Sequence, residues 1–362
     1  MMTYFRYGIL GLLILGLVVV LTGCGSEGPE GPKGSEGPRG PDGPDYESPV
    51  PDDQAFSIAV FNGTTAHNGR SVVTLVTDTS RASEKDVLVM TRVQRPPVID
   101  GVDDGDAVWG DYDTEIDFSD RLPTAENYIE SATMRAAYDD QYVYFQIQWA
   151  EVEHSDPDFT VGANGEHRTW TYNGTNWNRS SVLEDKVALF WLISGEWSNS
   201  IDWATDGGCL IACHFDRQTG MFTTTDTTRL EAWVWGSVTS DPTGFAIDGT
   251  IGYQAETETQ PDGFMLDVGS PVSVDNSASN QPAYQHKMGA DYDGSYPLYL
   301  WEVDAFRNTA DWQNGATIPG VVMTSPSYSA GNVFAKGHFD NGTWTVEMVR
   351  ERDTKSPDDV VF

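Results

Sequence analysis

Residues Tyr142–Trp149 read YVYFQIQW. Val143, Phe145 and Ile147 alternate with Tyr144, Gln146 and Gln148. A period of two puts each set on its own face of a strand, so the stretch predicts a half-buried β-strand with its apolar set inward. Just before it, TMRAAY (Thr133–Tyr138) reads as a strand, and Asp139-Asp140-Gln141 is a tight acidic turn. Together they predict a hairpin. Five more runs are rich in aromatic and β-branched residues and bounded by Gly, Asp, Asn or Pro: Asp86–Val93, Lys186–Ile193, Leu230–Trp235, Asn332–Phe339 and Thr343–Val349. These are strand signals. No long segment keeps a helical period. The expected class is therefore all-β, a β-sandwich in one domain over 56–362 with long loop insertions. Ser155–Ser181 and Asp241–Asp304, rich in Gly, Ser, Asn and Asp, are the expected insertions.

The chain before this domain is different. An apolar run from Gly8 to Val20 follows Arg6. It is too short to span a bilayer comfortably and fits the core of a signal peptide. It ends in Leu21-Thr22-Gly23-Cys24, which resembles the bacterial lipobox. The resemblance implies cleavage after residue 23 and a lipid on Cys24, with an uncleaved membrane anchor as the alternative. Gly25-Ser26 lacks the aspartate that retains some lipoproteins at an inner membrane, so the expected place is exported, at the outer membrane, periplasm or cell surface. Gly25–Asp45 then repeats glycine at every third position through seven triplets. That is the collagen pattern. Residues 24–55 are read as a lipidated, extended spacer of at most about 60 Å, with a trimerising stalk as the alternative.

The formal net charge is −34, with six lysines in 362 residues. Such a surface repels nucleic acid and anionic lipid. It attracts cations or a basic redox partner, and it also suits high salt.

The chain has three cysteines, and two of them stand in GGCLIACHFD (Gly207–Asp216). Cys209 and Cys213 are four positions apart, and His214 follows at once. Covalent haem attachment uses two thioethers and an adjacent histidine on iron, usually as C-x-x-C-H. Here the inter-cysteine loop is one residue longer and the Cys-His step is intact. A disulfide, part of a zinc site and a free dithiol are the alternatives.

The order of several segments carries a resemblance. RPPVIDGVDDGDAVW (Arg95–Trp109), AAYDDQYVYFQIQWAE and EDKVALFWLI come before the cysteine motif; LEAWVWGSVTSDPTGFAIDG, IPG (Ile318–Gly320) and VFAKGHFDNGTWTVEMVRERDTKSPDDVVF come after it. This set resembles the haem-binding domain family of the ethylbenzene dehydrogenase and dimethyl-sulfide dehydrogenase γ subunits. It is most similar to members with a C-x-x-x-C-H haem c site. The resemblance implies an immunoglobulin-like β-sandwich that binds one haem and passes single electrons. Cys209 and Cys213 would attach the haem and His214 would be its proximal ligand. Two departures stand out. Relatives often have a Trp-His-Trp-Lys-like motif where this chain has Trp233-Val234-Trp235-Gly236, and they usually continue past DDVVF into a last strand.

Spacing leaves the sixth ligand open. His286, Lys287 and Met288 are adjacent, Lys336 and His338 share a strand face, and His154 and Met221 are further donors. His286, Met288 and Lys336 are the leading candidates. Trp203, Trp233 and Trp235 could line the haem or fill the core. The expected function is electron transfer rather than enzymology, with a molybdenum oxidoreductase or a multihaem cytochrome as redox partner. A haem enzyme with an open iron position is a weaker alternative. Another is a carbohydrate-binding sandwich: VIDGVDDGDAVW also resembles the opening strand of such modules, with Trp170, Trp177 and Trp197 exposed to stack on sugars and Cys209–Cys213 as a disulfide.

Overall fold

The computed structural model of the chain describes residues 54–61, 68–118, 129–150, 169–180, 184–194, 223, 226–253 and 263–362. In order, the strands are β1 (Gln54–Phe61), β2 (Asn68–Val76), β3 (Val87–Arg92), β4 (Thr114–Asp117), β5 (Ser131–Tyr138), β6 (Tyr142–Ala150), β7 (Thr169–Tyr172), β8 (Trp177–Arg179), β9 (Lys186–Ser194) and β10 (Arg229–Gly236). They continue as β11 (Ile247–Ile251), β12 (Phe264–Leu266), β13 (Ser273–Asp275), β14 (Tyr284–His286), β15 (Val303–Ala305), β16 (Thr317–Pro319), β17 (Val321–Met323), β18 (Phe334–Asp340) and β19 (Thr343–Glu351). One α-helical turn, α1 (Asp106–Trp109), lies among them. Among the described residues no helix is long and apolar enough to cross a membrane. The all-β expectation holds, and all six strand runs and the Thr133–Trp149 hairpin form as read.

Twelve strands make one sheet, ordered β12-β11-β10-β9-β1-β2-β3-β5-β6-β19-β18, with β4 also on β5. The sheet curls over itself, so its two halves form the layers of a sandwich. Phe145 of β6 meets Trp191 of β9 at 5.2 Å and Trp233 of β10 at 5.9 Å between ring centroids. The layers stay hydrogen-bonded to each other through the parallel pairs β2–β3 and β3–β5. Strand twist accumulates over so many strands, and a register shift at Arg229/Leu230 adds to the bend.

β6 is buried on both faces. The alternation is correct, with Val143, Phe145, Ile147 and Trp149 inward, but Gln146 on the other face is only 1% exposed. The cover is Arg95–Trp109, part of which the carbohydrate-binding alternative reads as an opening strand. It is a loop and α1 instead, and Trp109 packs with Val93, Ala137 and Tyr144 over the outer face. Arg135 of β5 pins it through Asp103 (3.2 Å) and Asp106 (3.0 Å). At its tip Gly101 has φ +77°, and a Cβ there would lie 2.6 Å from the His338 backbone nitrogen, so only glycine lets the loop rest on β18.

The expected insertions carry structure. β11, inside Asp241–Asp304, pairs with β10 as a full member of the sheet. β7 and β8, inside Ser155–Ser181, join β16 in a separate three-stranded sheet. Its core holds Trp170, Trp177, Trp312 and Ile318. Trp170 and Trp177 are thus buried, which removes two of the three exposed tryptophans that the carbohydrate reading needs. Trp197 lies outside the described residues.

The C-terminal segment fills the interlayer core. Phe362 is 2% exposed and meets Trp191 edge-on at 4.9 Å, Trp233 at 5.7 Å and Phe145 at 6.2 Å. Deleting a buried phenyl ring leaves a cavity its rigid neighbours cannot close. Phe362→Ala is expected to lower unfolding stability by about 3–5 kcal/mol, read from the urea midpoint at unchanged slope. A loss under about 1 kcal/mol would mean that the segment does not dock.

Candidate functional site

One end of the sandwich is organised by a carboxylate. Asp241 opens a 3-10 turn after β10. Its Oδ1 accepts from Trp235 Nε1 (3.0 Å) and from the Gly337 amide (2.7 Å). Its Oδ2 pairs with Lys336 Nζ at 2.5 Å, and its carbonyl takes a second bond from that amine at 3.2 Å. β10 and β18 are thereby tied together. A Cβ at residue 337 would lie 2.2 Å from Trp235 Cζ2, so glycine is what admits the indole. Trp235 packs edge-on against Trp344 at 5.1 Å and Trp149 at 6.3 Å. The Tyr299 hydroxyl donates to the Pro242 carbonyl, and the Tyr296 hydroxyl to that of Val238. Burial first, then the negative charges of Glu184 and Asp241, push the Tyr296 hydroxyl far above its usual range.

Gly236, where relatives of the resembled family often carry lysine, is enclosed. A Cβ there would lie 2.7 Å from Glu184 Oε2. That oxygen already accepts from the Val238 and Thr239 amides, and the other takes the Thr239 hydroxyl and Lys186 Nζ (2.8 Å). The carboxylate occupies the place where a longer side chain would begin.

His286 ends β14, in a two-stranded ribbon with β15. Its ring stacks on Tyr292 at 4.3 Å, and its Nδ1 accepts from the Met288 amide at 3.1 Å. His286 and Met288 are therefore brought together. The neighbouring Lys287 amine donates to the Trp301 carbonyl. Met288 itself is 58% exposed. Lys336 is engaged by Asp241, not by either of these residues, and His338, on the same strand face, is exposed. Trp233 and Trp235 are core residues. Cys24, His154, Trp203, Cys209, Cys213, His214 and Met221 lie outside the described residues.

Comparison with known families adds one finding. The family described as ethylbenzene dehydrogenase matches residues 106–362, well over half of the chain. The chain belongs to this ethylbenzene dehydrogenase family. No curated protein matches it. Family membership agrees with a redox-related β protein.

The family region also holds buried charges that the sequence reading passed over. Glu231 and Arg350 are both fully buried and paired, β10 to β19. Glu231 takes further bonds from the Trp233 indole and from the Val360 amide at 2.5 Å. Arg350 donates to the Val360 carbonyl and lies over the rings of Trp233 (4.8 Å) and Phe362 (5.0 Å). A signal existed: in LEAWVW, Glu231 falls on the same alternation as Trp233 and Trp235, so an acid was written at a core position.

A second buried acid holds the outer cover. Glu347 of β19 accepts from the Asp100 (3.1 Å) and Gly101 (2.9 Å) amides and from Gln146 Nε2 (3.1 Å). Burial outweighs these bonds and pushes its carboxyl up to about 7. An acid whose folded pKa is raised binds its proton more tightly in the folded chain. Its contribution is thus favourable below the unfolded value and is lost as pH rises towards 7. Glu347→Gln is expected to remove a fall in stability on the order of 2 kcal/mol between about pH 5 and pH 8, measured as urea midpoints of both proteins. Parallel pH profiles would show that Glu347 is ionised throughout.

Proposed function

We propose that this family member is an exported, lipid-anchored monohaem c-type cytochrome that transfers single electrons to or from a redox partner protein. The observation that carries the reading is Cys209-x-x-x-Cys213-His214, written inside a chain of the ethylbenzene dehydrogenase family. Cys209 and Cys213 would each add a thiol across a vinyl group, and His214 would take one axial position. When bound, the haem supplies a one-electron couple that no side chain of the chain offers. The protein's own part is to hold the ligands, keep water away and present a surface.

The donor set fits that group, with imidazole, thioether and amine all available for the second axial position. The three distal candidates differ in what each would give up. Lys336 would have to leave Asp241. His286, to bind through Nε2, needs a proton on Nδ1, and Nδ1 faces the Met288 N–H. The exposed Met288 thioether gives up no hydrogen bond. We therefore assign the distal position to Met288 ahead of the other two.

The acidic surface favours a basic docking face on the partner, either a molybdenum oxidoreductase or a multihaem cytochrome. Lipid on Cys24 and the extended Gly-x-y spacer would tether the domain within reach of it.

The pyridine haemochrome spectrum tests the core of this reading. Protein made in a host with cytochrome c maturation is expected to show a c-type α band that survives acid-acetone extraction, and a Cys209→Ala/Cys213→Ala variant to lose it. Absence of haem, with both thiols oxidised, would turn the motif into a disulfide loop. In the same preparation Met288→Ala is expected to abolish the charge-transfer band of an iron–thioether bond, whereas His286→Ala and Lys336→Ala keep it. Retention of an unchanged spectrum in Met288→Ala would move the ligand elsewhere.

A further inference from the structure

The outer edge of the sheet gathers acids on its inward face. Register sets Asp248 of β11 opposite Trp233, so Asp248 shares a face with Glu231 and Trp233 of β10. β12 continues the ladder: Gly249 pairs with Leu266, and the Asp267 amide donates to the Asp248 carbonyl at 3.2 Å. From above, the C-terminal segment adds Asp358 and Asp359. Carboxylate oxygens of Glu231, Asp248 and Asp359 lie within 4.8 Å of one another, and so do those of Asp267, Asp358 and Asp359. Asp359 belongs to both groups.

Donors do not account for these oxygens. Glu231 is saturated by Trp233, Arg350 and Val360. Asp358 takes the Ser356 hydroxyl at 2.6 Å. Asp359 Oδ2 accepts from Asn332 (3.1 Å) and Thr354, but its Oδ1 accepts nothing. Among the described residues no N–H or hydroxyl donor reaches either oxygen of Asp267 or of Asp248, although Asp248 is 1% exposed. Five buried carboxylate oxygens thus lie without a donor in two groups that share Asp359, and Arg350, the cation in contact among the described residues, is spent on Glu231. A buried polar group without a partner is costly, and a buried unpaired charge more so.

We propose that Asp248, Asp267 and Asp359 form a calcium site that fastens the C-terminal segment to the β11–β12 edge. An all-oxygen donor set selects a hard cation. Carboxylates from three separate segments suit the larger, irregular shell of calcium. Magnesium would need a tight octahedron and several retained waters, for which so closed a site has little room. These acids are not part of the haem motif, and the calcium site does not depend on it.

The test is thermal unfolding of the full mature chain, with whatever haem it carries, in about 0.5 M NaCl to screen its surface charge. After chelation with EGTA, calcium added to about 1 mM is expected to raise Tm by about 5 °C, with one binding event by titration calorimetry. Asp248→Asn is expected to lose both responses, while Glu115→Gln, at an exposed carboxylate of β4, keeps them. If Asp248→Asn does not fold, the wild-type titration decides alone. The proposal is overturned if chelator and calcium leave Tm unchanged, if magnesium gives an equal shift, or if Asp248→Asn retains the response. The haem band recorded in the same samples reports on the cytochrome reading separately.

Discussion

The Arg350 guanidinium is the constraint on which the sandwich depends. Aromatic burial drives the two layers together, but it has no direction and would tolerate sliding. A buried cation tolerates none, because each of its donors must find an acceptor. Arg350 reaches Glu231 on the opposite layer, the Val360 carbonyl on the terminal segment and the Glu351 carbonyl beside it. Its guanidinium also lies over the adjoining rings of Trp233 and Phe362. One arrangement of β10, β19 and the last residues satisfies all of these at once. Removing either charge would strand the other in the core, which is why such pairs fix geometry even where their net stabilisation is small.

That arrangement explains what could be read from the sequence and what could not. The inward set of β6 was legible because Val143, Phe145 and Ile147 obey a local rule. Burial of the outward set was not, since Gln146 and Tyr144 look like solvent-facing residues until Trp109 covers them from a segment with no strand pattern. β11 was hidden for a related reason. Its sequence, Ile247-Asp248-Gly249-Thr250-Ile251, puts an acid and a glycine in a five-residue strand, and both mean loop on local evidence. The glycine is required, because a Cβ at 249 would lie 2.6 Å from the Met265 carbonyl on β12. Neither residue makes sense before the partner strands are in place.

The candidate site shows the same division. The cysteine pair and histidine are legible as a motif because the covalent attachment and ligation we propose for them would impose a short spacing. The distal donors carry no such spacing, and only geometry separates them. Lys336 looked equal to Met288 in the sequence, and the difference is Asp241, 95 residues away in the chain and 2.5 Å away in space. The missing lysine at Gly236 has a local cause as well. Glu184, already filled by two amides, a hydroxyl and Lys186, occupies the space that side chain would need. The turn at Gly236 is filled rather than empty.

Charge then joins these parts. A net charge of −34 is tolerable on a surface, where water and salt screen it. It is not tolerable at the β10–β12 edge, where four of the five clustered acids are buried and one arginine answers one of them. The strands that present those acids are the outermost of their layer, where hydrogen-bonded neighbours are fewest. An edge held by apolar contact alone would open easily there, and repulsion among the acids would drive it open. The same carboxylates become the strongest fastening in the region once a divalent cation lies between them. The terminal aromatic plug, the Glu231–Arg350 pair and the acid cluster are therefore one device, with Val360 and Asp359 as the adjacent links that couple the ion pair to the edge.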